Sequence, residues 1–199
     1  LLFKVHPYGQ QPTLGSIEHL KNPSIRAIEE FYSKHYVPEN MAICISGDID
    51  PDETIQIIEE HFSSWKSESP LRSEPKWEEK PLSGREFVQV QYLGEEQVIL
   101  AFRTTPRFHP DYHAIRLMDM IIDNSVAGLI NLDLVEKQLV RSAGCYPQNY
   151  NDHGVHSFYG IPKEGQSLEE VEELILAQIN RVKVGDFDDW VIPAVINDF

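Results

Sequence analysis

In the segment HPDYH two imidazoles, His109 and His113, stand four residues apart. An α-helix turns residues at that interval toward one zinc ion, and a glutamate beside them would take a proton from metal-bound water to cleave an amide. The local sequence works against this chemistry. Pro110 and Asp111 mark the start of a helix, so the pair straddles a helix start instead of sharing a face, and no glutamate adjoins either histidine. In HGVH, His153 and His156 are three apart across a turn and a strand start, which aims the rings away from each other. His61, with Glu59 and Glu60 before it, lies on the polar side of a helix, where a solvated face is expected. Gly9, Gly15 and Gly47 are too scattered to cradle a phosphate, and no serine nucleophile elbow is present. The eight histidines and 32 acidic residues therefore give no complete catalytic set. The sequence predicts no catalytic residue and no metal ligand in this chain, and leaves substrate-binding residues unassigned.

The elements that carry these residues are clearly punctuated. Asn22-Pro23 reads as the cap and first position of a helix carrying Ile25, Ile28, Phe31, Tyr32 and His35, which must stop before Pro38. Met41 to Ser46 is a short apolar run, expected as a strand covered on both faces. Asp50-Pro51-Asp52-Glu53 then starts a helix that runs to about Trp65. Residues 66–84 hold three prolines among mixed charges and should form an extended connector. Beyond them, EFVQVQYL alternates like a half-exposed strand, and QVILAFRT reads as a strand apolar on both faces. Helices are predicted over 111–123 and 128–140, strands near 142–148 and 155–161, and a capping box at Ser167 and Glu170 opens a helix that Gly185 ends. A last helix begins near Asp188, with Pro193 kinking or ending it.

With 199 residues and 41% hydrophobic content the chain can bury a core. A formal charge of −15 sets aside a phosphate-backbone partner or an anionic membrane surface. Cys44 and Cys145 give neither a zinc-finger spacing nor a disulfide framework. No run approaches a membrane span, and no targeting signal identifies a compartment. Leu1 in place of an initiator methionine, and a terminal VIPAVINDF that reads as the inside of an element, make the chain an expected piece of a longer one.

Four stretches then stand out in order: HPYG at 6–9, SIEHLKN at 16–22, FYSKHYVPENMAICISGDIDPDE at 31–53 and HFSSW at 61–65. They resemble the pitrilysin or insulinase family of zinc metallopeptidases. HPDYHAIRLMDMIIDN, LVEKQLVRSAG and FYGIPKEGQSLEEVEELI resemble the start of that family's next domain. The resemblance covers nearly the whole chain. It implies α/β half-domains of mainly antiparallel sheet packed against helices, in a chamber where a peptide is cleaved. It assigns residues 1–65 to the end of one domain, 66–84 to a linker and 85–199 to the start of a second, non-catalytic one.

The family's H-x-x-E-H motif occurs nowhere in this sequence. The helix where it would sit offers only His113 and Asp119, without the spacing. Val135 and Arg141 replace the arginine and tyrosine with which the family contacts substrate, so that pair does not carry over. The resemblance therefore implies a non-catalytic segment that shapes a chamber wall. Zinc is expected in a catalytic domain of the parent chain and none in this segment, and the partners are that domain and a peptide substrate. Two alternatives stand beside it: part of a catalytically inactive family member acting as scaffold or partner subunit, and an unrelated α/β binding module; an exposed sheet edge also offers a route to a homodimer of the segment.

Overall fold

The computed structural model describes residues 1–66, 75–124 and 126–198. Residues 67–74 of the expected connector lie outside the described residues. The chain divides into two units, one holding Leu1 and Phe3–Ser83, the other Leu2 and Gly84–Phe199.

The first unit is helical among its described residues: α1 (Pro7–Gln10), α2 (Ile17–Lys21), α3 (Ile25–His35) and α4 (Pro51–Phe62). The cap of α3 is Ser24, whose hydroxyl accepts from the Ala27 N–H. Asn22, expected in that role, instead ends α2, its N–H donating to the Glu18 carbonyl. α4 begins as expected, with Asp50 accepting from the N–H groups of Asp52 and Glu53. HPYG is held by a residue distant in sequence. The carboxylate of Glu79 accepts the N–H groups of Val5 at 2.6 Å and His6 at 2.7 Å. His6 in turn caps α1 by accepting from Tyr8 N. A Cβ on Gly9 would lie 1.9 Å from the Phe3 carbonyl oxygen, so only glycine fits there.

Two expected strands are absent. Residues 41–46 and 85–92 carry no ladder, and Met41, Ile43, Ile45, Phe87, Val88, Val90 and Tyr92 are exposed. An apolar pattern states which face a strand would bury, but the strand itself is made by its neighbour's hydrogen bonds. The only sheet among the described residues lies elsewhere.

That sheet forms the second unit. β1 (Val98–Thr104), β2 (Ser142–Asn149) and β3 (Gly154–Ile161) pair antiparallel in the order β1-β3-β2. β3 is central and buried almost throughout, whereas β1, expected apolar on both faces, is an edge strand exposing Ile99 and Phe102. α5 (Tyr112–Ile122), α6 (Leu168–Val184) and α7 (Val191–Asp198) complete the unit. Both halves of the predicted capping box of α6 are made, and Gly185 ends it at φ 72°. Pro193 falls in the first turn of α7, where its missing N–H costs nothing. Ile122, Ile130, Leu134, Val140, Phe158, Val171 and Ile175 form the main core. A Cβ on Gly160 would lie 2.3 Å from Val171 Cγ1, so glycine is what lets α6 lie close on β3.

The helix expected over 128–140 shrinks to one wide turn at Asn131–Val135. Its bonds skip five residues, from Glu136 N to Asn131 O and from Leu139 N to Leu134 O. Gln138, at φ 54°, then turns the chain toward β2. Within the turn, Asp133 accepts from Lys137 at 2.6 Å and from Arg181 of α6. Burial raises the Asp133 carboxyl, but hydrogen bonds and positive charge from these two residues outweigh it and hold it below its ordinary value. With side chains 21% and 32% exposed, solvent screens the Asp133–Arg181 pair only in part. A carboxyl depressed by folding stabilises above its unfolded pKa and loses that contribution as pH falls through the folded one. Asp133→Asn is expected to cost about 1–2 kcal/mol at neutral pH. The deficit should close as pH drops below 3.8, the ordinary value for this group. Urea midpoints across that range check it.

Candidate functional site

α5 is amphipathic, and Met118, Ile121 and Ile122 take its apolar face into the core. Asp119 lies between them and faces the β2–β3 hairpin. Its Oδ1 is 2.7 Å from His156 Nε2 and 3.2 Å from Cys145 Sγ. Cys145 pairs with Phe158 and His156 with Pro147, so the thiol and the imidazole are diagonal neighbours on one face of the hairpin. His156 is 1% exposed, its ring tilted against Phe158 with centroids 4.4 Å apart. One turn further along, Asp123 Oδ2 accepts the Cys145 N–H at 2.8 Å. A Cβ on Gly144 would lie 2.7 Å from that same oxygen, so glycine leaves room for it.

Burial, with the negative charge and hydrogen bond of Asp119 and the charge of Asp123, pushes the Cys145 thiol far above its ordinary value. Alone, it is a proton donor to Asp119 and no nucleophile. The donor atoms of Asp119, Cys145 and His156 all lie within 4.8 Å of one another. Among the described residues they are the one such group of three.

The other sequence candidates lie apart. His109 sits in the turn before α5, its Nδ1 accepting from Asp111 N, while His113 is exposed in the first turn of α5 beside Tyr112. His153 is in the hairpin turn, its carbonyl taking the Tyr150 N–H. His61, Glu59 and Glu60 are exposed on α4. Of the four histidines weighed as ligands, only His156 enters the cluster. Val135 packs on the main core, and Arg141 pairs with Glu95 at 2.7 Å.

Sequence reasoning missed the cluster because its members come from three elements, 26 and 11 residues apart. A histidine and a cysteine at inward positions of adjoining strands were the available signal. Imidazole, thiol and carboxylate are donors that zinc accepts. The cluster does not fit the zinc of an H-x-x-E-H peptidase, however. It contains no glutamate base, and its donors do not come from one motif helix.

A family model described as the peptidase M16 inactive domain matches residues 24–198. The chain is 22% identical over 188 residues to zinc protease PqqE of Helicobacter pylori, an alignment covering 91% of this chain and 41% of that protein. It is 21% identical over 177 residues to mitochondrial-processing peptidase subunit beta of Dictyostelium discoideum, covering 81% and 36%. It thus spans about two fifths of the length of these curated relatives. The crystal structure of a protease from Helicobacter pylori superposes with a TM-score of 0.81 at 20% identity, covering 98% of this chain and 48% of that one. That superposition establishes a shared fold.

Proposed function

This chain belongs to the peptidase M16 inactive-domain family, of the pitrilysin or insulinase group, and on that footing we propose that it is a non-catalytic segment of a zinc metalloendopeptidase. It lines the wall of a chamber in which a catalytic domain of the same protein cleaves peptides. Residues 1–65 close one family domain, and 85–199 open a second that carries no catalytic ligand. A catalytic zinc would be held by the histidines of an H-x-x-E-H domain outside this chain and would supply a Lewis acid for the scissile carbonyl and its attacking water. This chain's residues bound the space and, by their net acidity, favour cationic peptides.

One observation carries the reading. Two apolar strand segments, 41–46 and 85–92, lie exposed without a ladder, as the edges of a sheet would if another domain supplied the next strands. Among the described residues no helix is long and apolar enough to cross a membrane. A second reading, the partner subunit of an active peptidase, is favoured by the name of the Dictyostelium relative, itself a subunit. Peptide cleavage tests both. The chain alone should cleave nothing. A catalytic domain carried on a separate chain supports the subunit reading, and one in the same chain supports the first.

A further inference from the structure

We propose that Asp119, Cys145 and His156 bind one zinc-type divalent ion that fastens α5 to the β2–β3 hairpin. This goes beyond the chamber-wall reading and replaces the expectation that the segment holds no metal.

Three features of the cluster point to such an ion. The first is donor chemistry: imidazole nitrogen, thiolate sulfur and carboxylate oxygen are the ligands zinc takes, whereas calcium and magnesium take oxygen alone. The second is charge. Within the ligand set one carboxylate and one thiolate balance a divalent cation, with neutral imidazole adding none, at a centre where His156 is buried and Asp119 and Cys145 are part-buried. The third is geometry. Ligand atoms around a tetrahedral zinc stand roughly 3.5 Å apart. Here Asp119 Oδ1 is already 2.7 Å from His156 Nε2 and 3.2 Å from Cys145 Sγ, so small outward shifts suffice.

The surroundings hold the donors in place. Asp123 fixes the Cys145 backbone through its N–H, Gly144 leaves room for that carboxylate, and Phe158 packs against the imidazole. On binding, the Cys145 S–H proton leaves to solvent as the metal–sulfur bond forms, the imidazole proton that His156 Nε2 holds toward Asp119 moves to Nδ1 so that Nε2 can ligate, and no electron changes hands. Three protein donors leave a four-coordinate zinc one ligand short, which water would supply. With donors from three elements, the ion adds metal–ligand bonds to the hydrogen bonds by which Asp119 and Asp123 already join α5 to the hairpin.

The test titrates the untagged chain, stripped with chelator, with cobalt(II) and then zinc. One ion per chain is expected, with a thiolate-to-cobalt charge-transfer band that survives in Cys44→Ser and vanishes in Cys145→Ser. Asp119→Asn removes a ligand and should weaken binding by more than the roughly 10–100-fold cost of losing an outer partner. Asp123→Asn should fall within that range. X-ray absorption at the zinc edge of the unaltered chain reads the site without any variant, and should show one sulfur among nitrogen and oxygen ligands. A shell without sulfur, a band that persists in Cys145→Ser, or no stoichiometric binding overturns the proposal. None of these readouts is peptide cleavage, so failure here is separate from failure of the proposed function.

Discussion

Phe158→Ala is expected to remove about 3–5 kcal/mol from the second unit, the usual cost of deleting a fully buried aromatic ring. Phe158 is 2% exposed on the central strand, with Leu100 opposite on β1 and Cys145 opposite on β2. Its ring meets Phe102 edge-on at 5.8 Å and lies against His156 at 4.4 Å. Truncation leaves a cavity that the neighbouring strands cannot close without breaking register. A domain is stable by about 5–15 kcal/mol in all, so a loss of this size lowers the urea midpoint by roughly a fifth in the most stable case and brings it close to zero denaturant only in the least stable one. Phe102→Ala is the control. Phe102 is half-exposed on the edge strand, and removing it should cost well under half as much. Equal midpoints for the two variants would show that the core does not centre on β3.

The second large effect falls on association, with stability spared. Ile43 and Ile45 are 54% and 48% exposed in an apolar run that has no ladder. Replacing both with lysine should change the stability of the chain itself by no more than about 0.5 kcal/mol per site, as for other surface substitutions. If a catalytic domain covers this run, each isoleucine, with about half of its surface still to be buried, contributes about 0.8–1.5 kcal/mol to the joint. Losing both then weakens association by roughly 10–100-fold, at tenfold per 1.4 kcal/mol. Sedimentation or calorimetry with the two chains mixed reads the affinity, and thermal melts of the variant read its fold. A variant that unfolds on its own would show that these side chains already support this chain's core.

Elements set by local chemistry were legible in the sequence. α4 begins at the Asp50-Pro51 signal, α6 runs from its capping box to Gly185, and the β2–β3 hairpin lies within a residue or two of its expected bounds. In each case the decisive interactions are made within a few residues. What failed depends on distant partners. Residues 41–46 have the continuous apolar run of a strand and 85–92 the alternation of one, but neither carries a ladder, so the pattern alone could not make them strands. The 128–140 pattern spaced its apolar residues helically, yet packing of Leu134 and Val140 and the turn at Gln138 left one wide turn in place of a helix. The Asp119–Cys145–His156 cluster shows the same limit. HPDYH drew notice because its spacing is local, while the group that converges is assembled from a helix and two strands.

The most direct test of the central claim is peptide cleavage by this chain, saturated with zinc, alone and then with an H-x-x-E-H-bearing catalytic domain of its own protein. No turnover alone, and chelator-sensitive turnover of the mixture above that of the catalytic domain by itself, is the predicted result. Saturation matters because the cluster is expected to load with metal without hydrolysing anything. Chelator-sensitive cleavage by the chain alone would contradict the account, and would place the chemistry among residues assigned here to a wall.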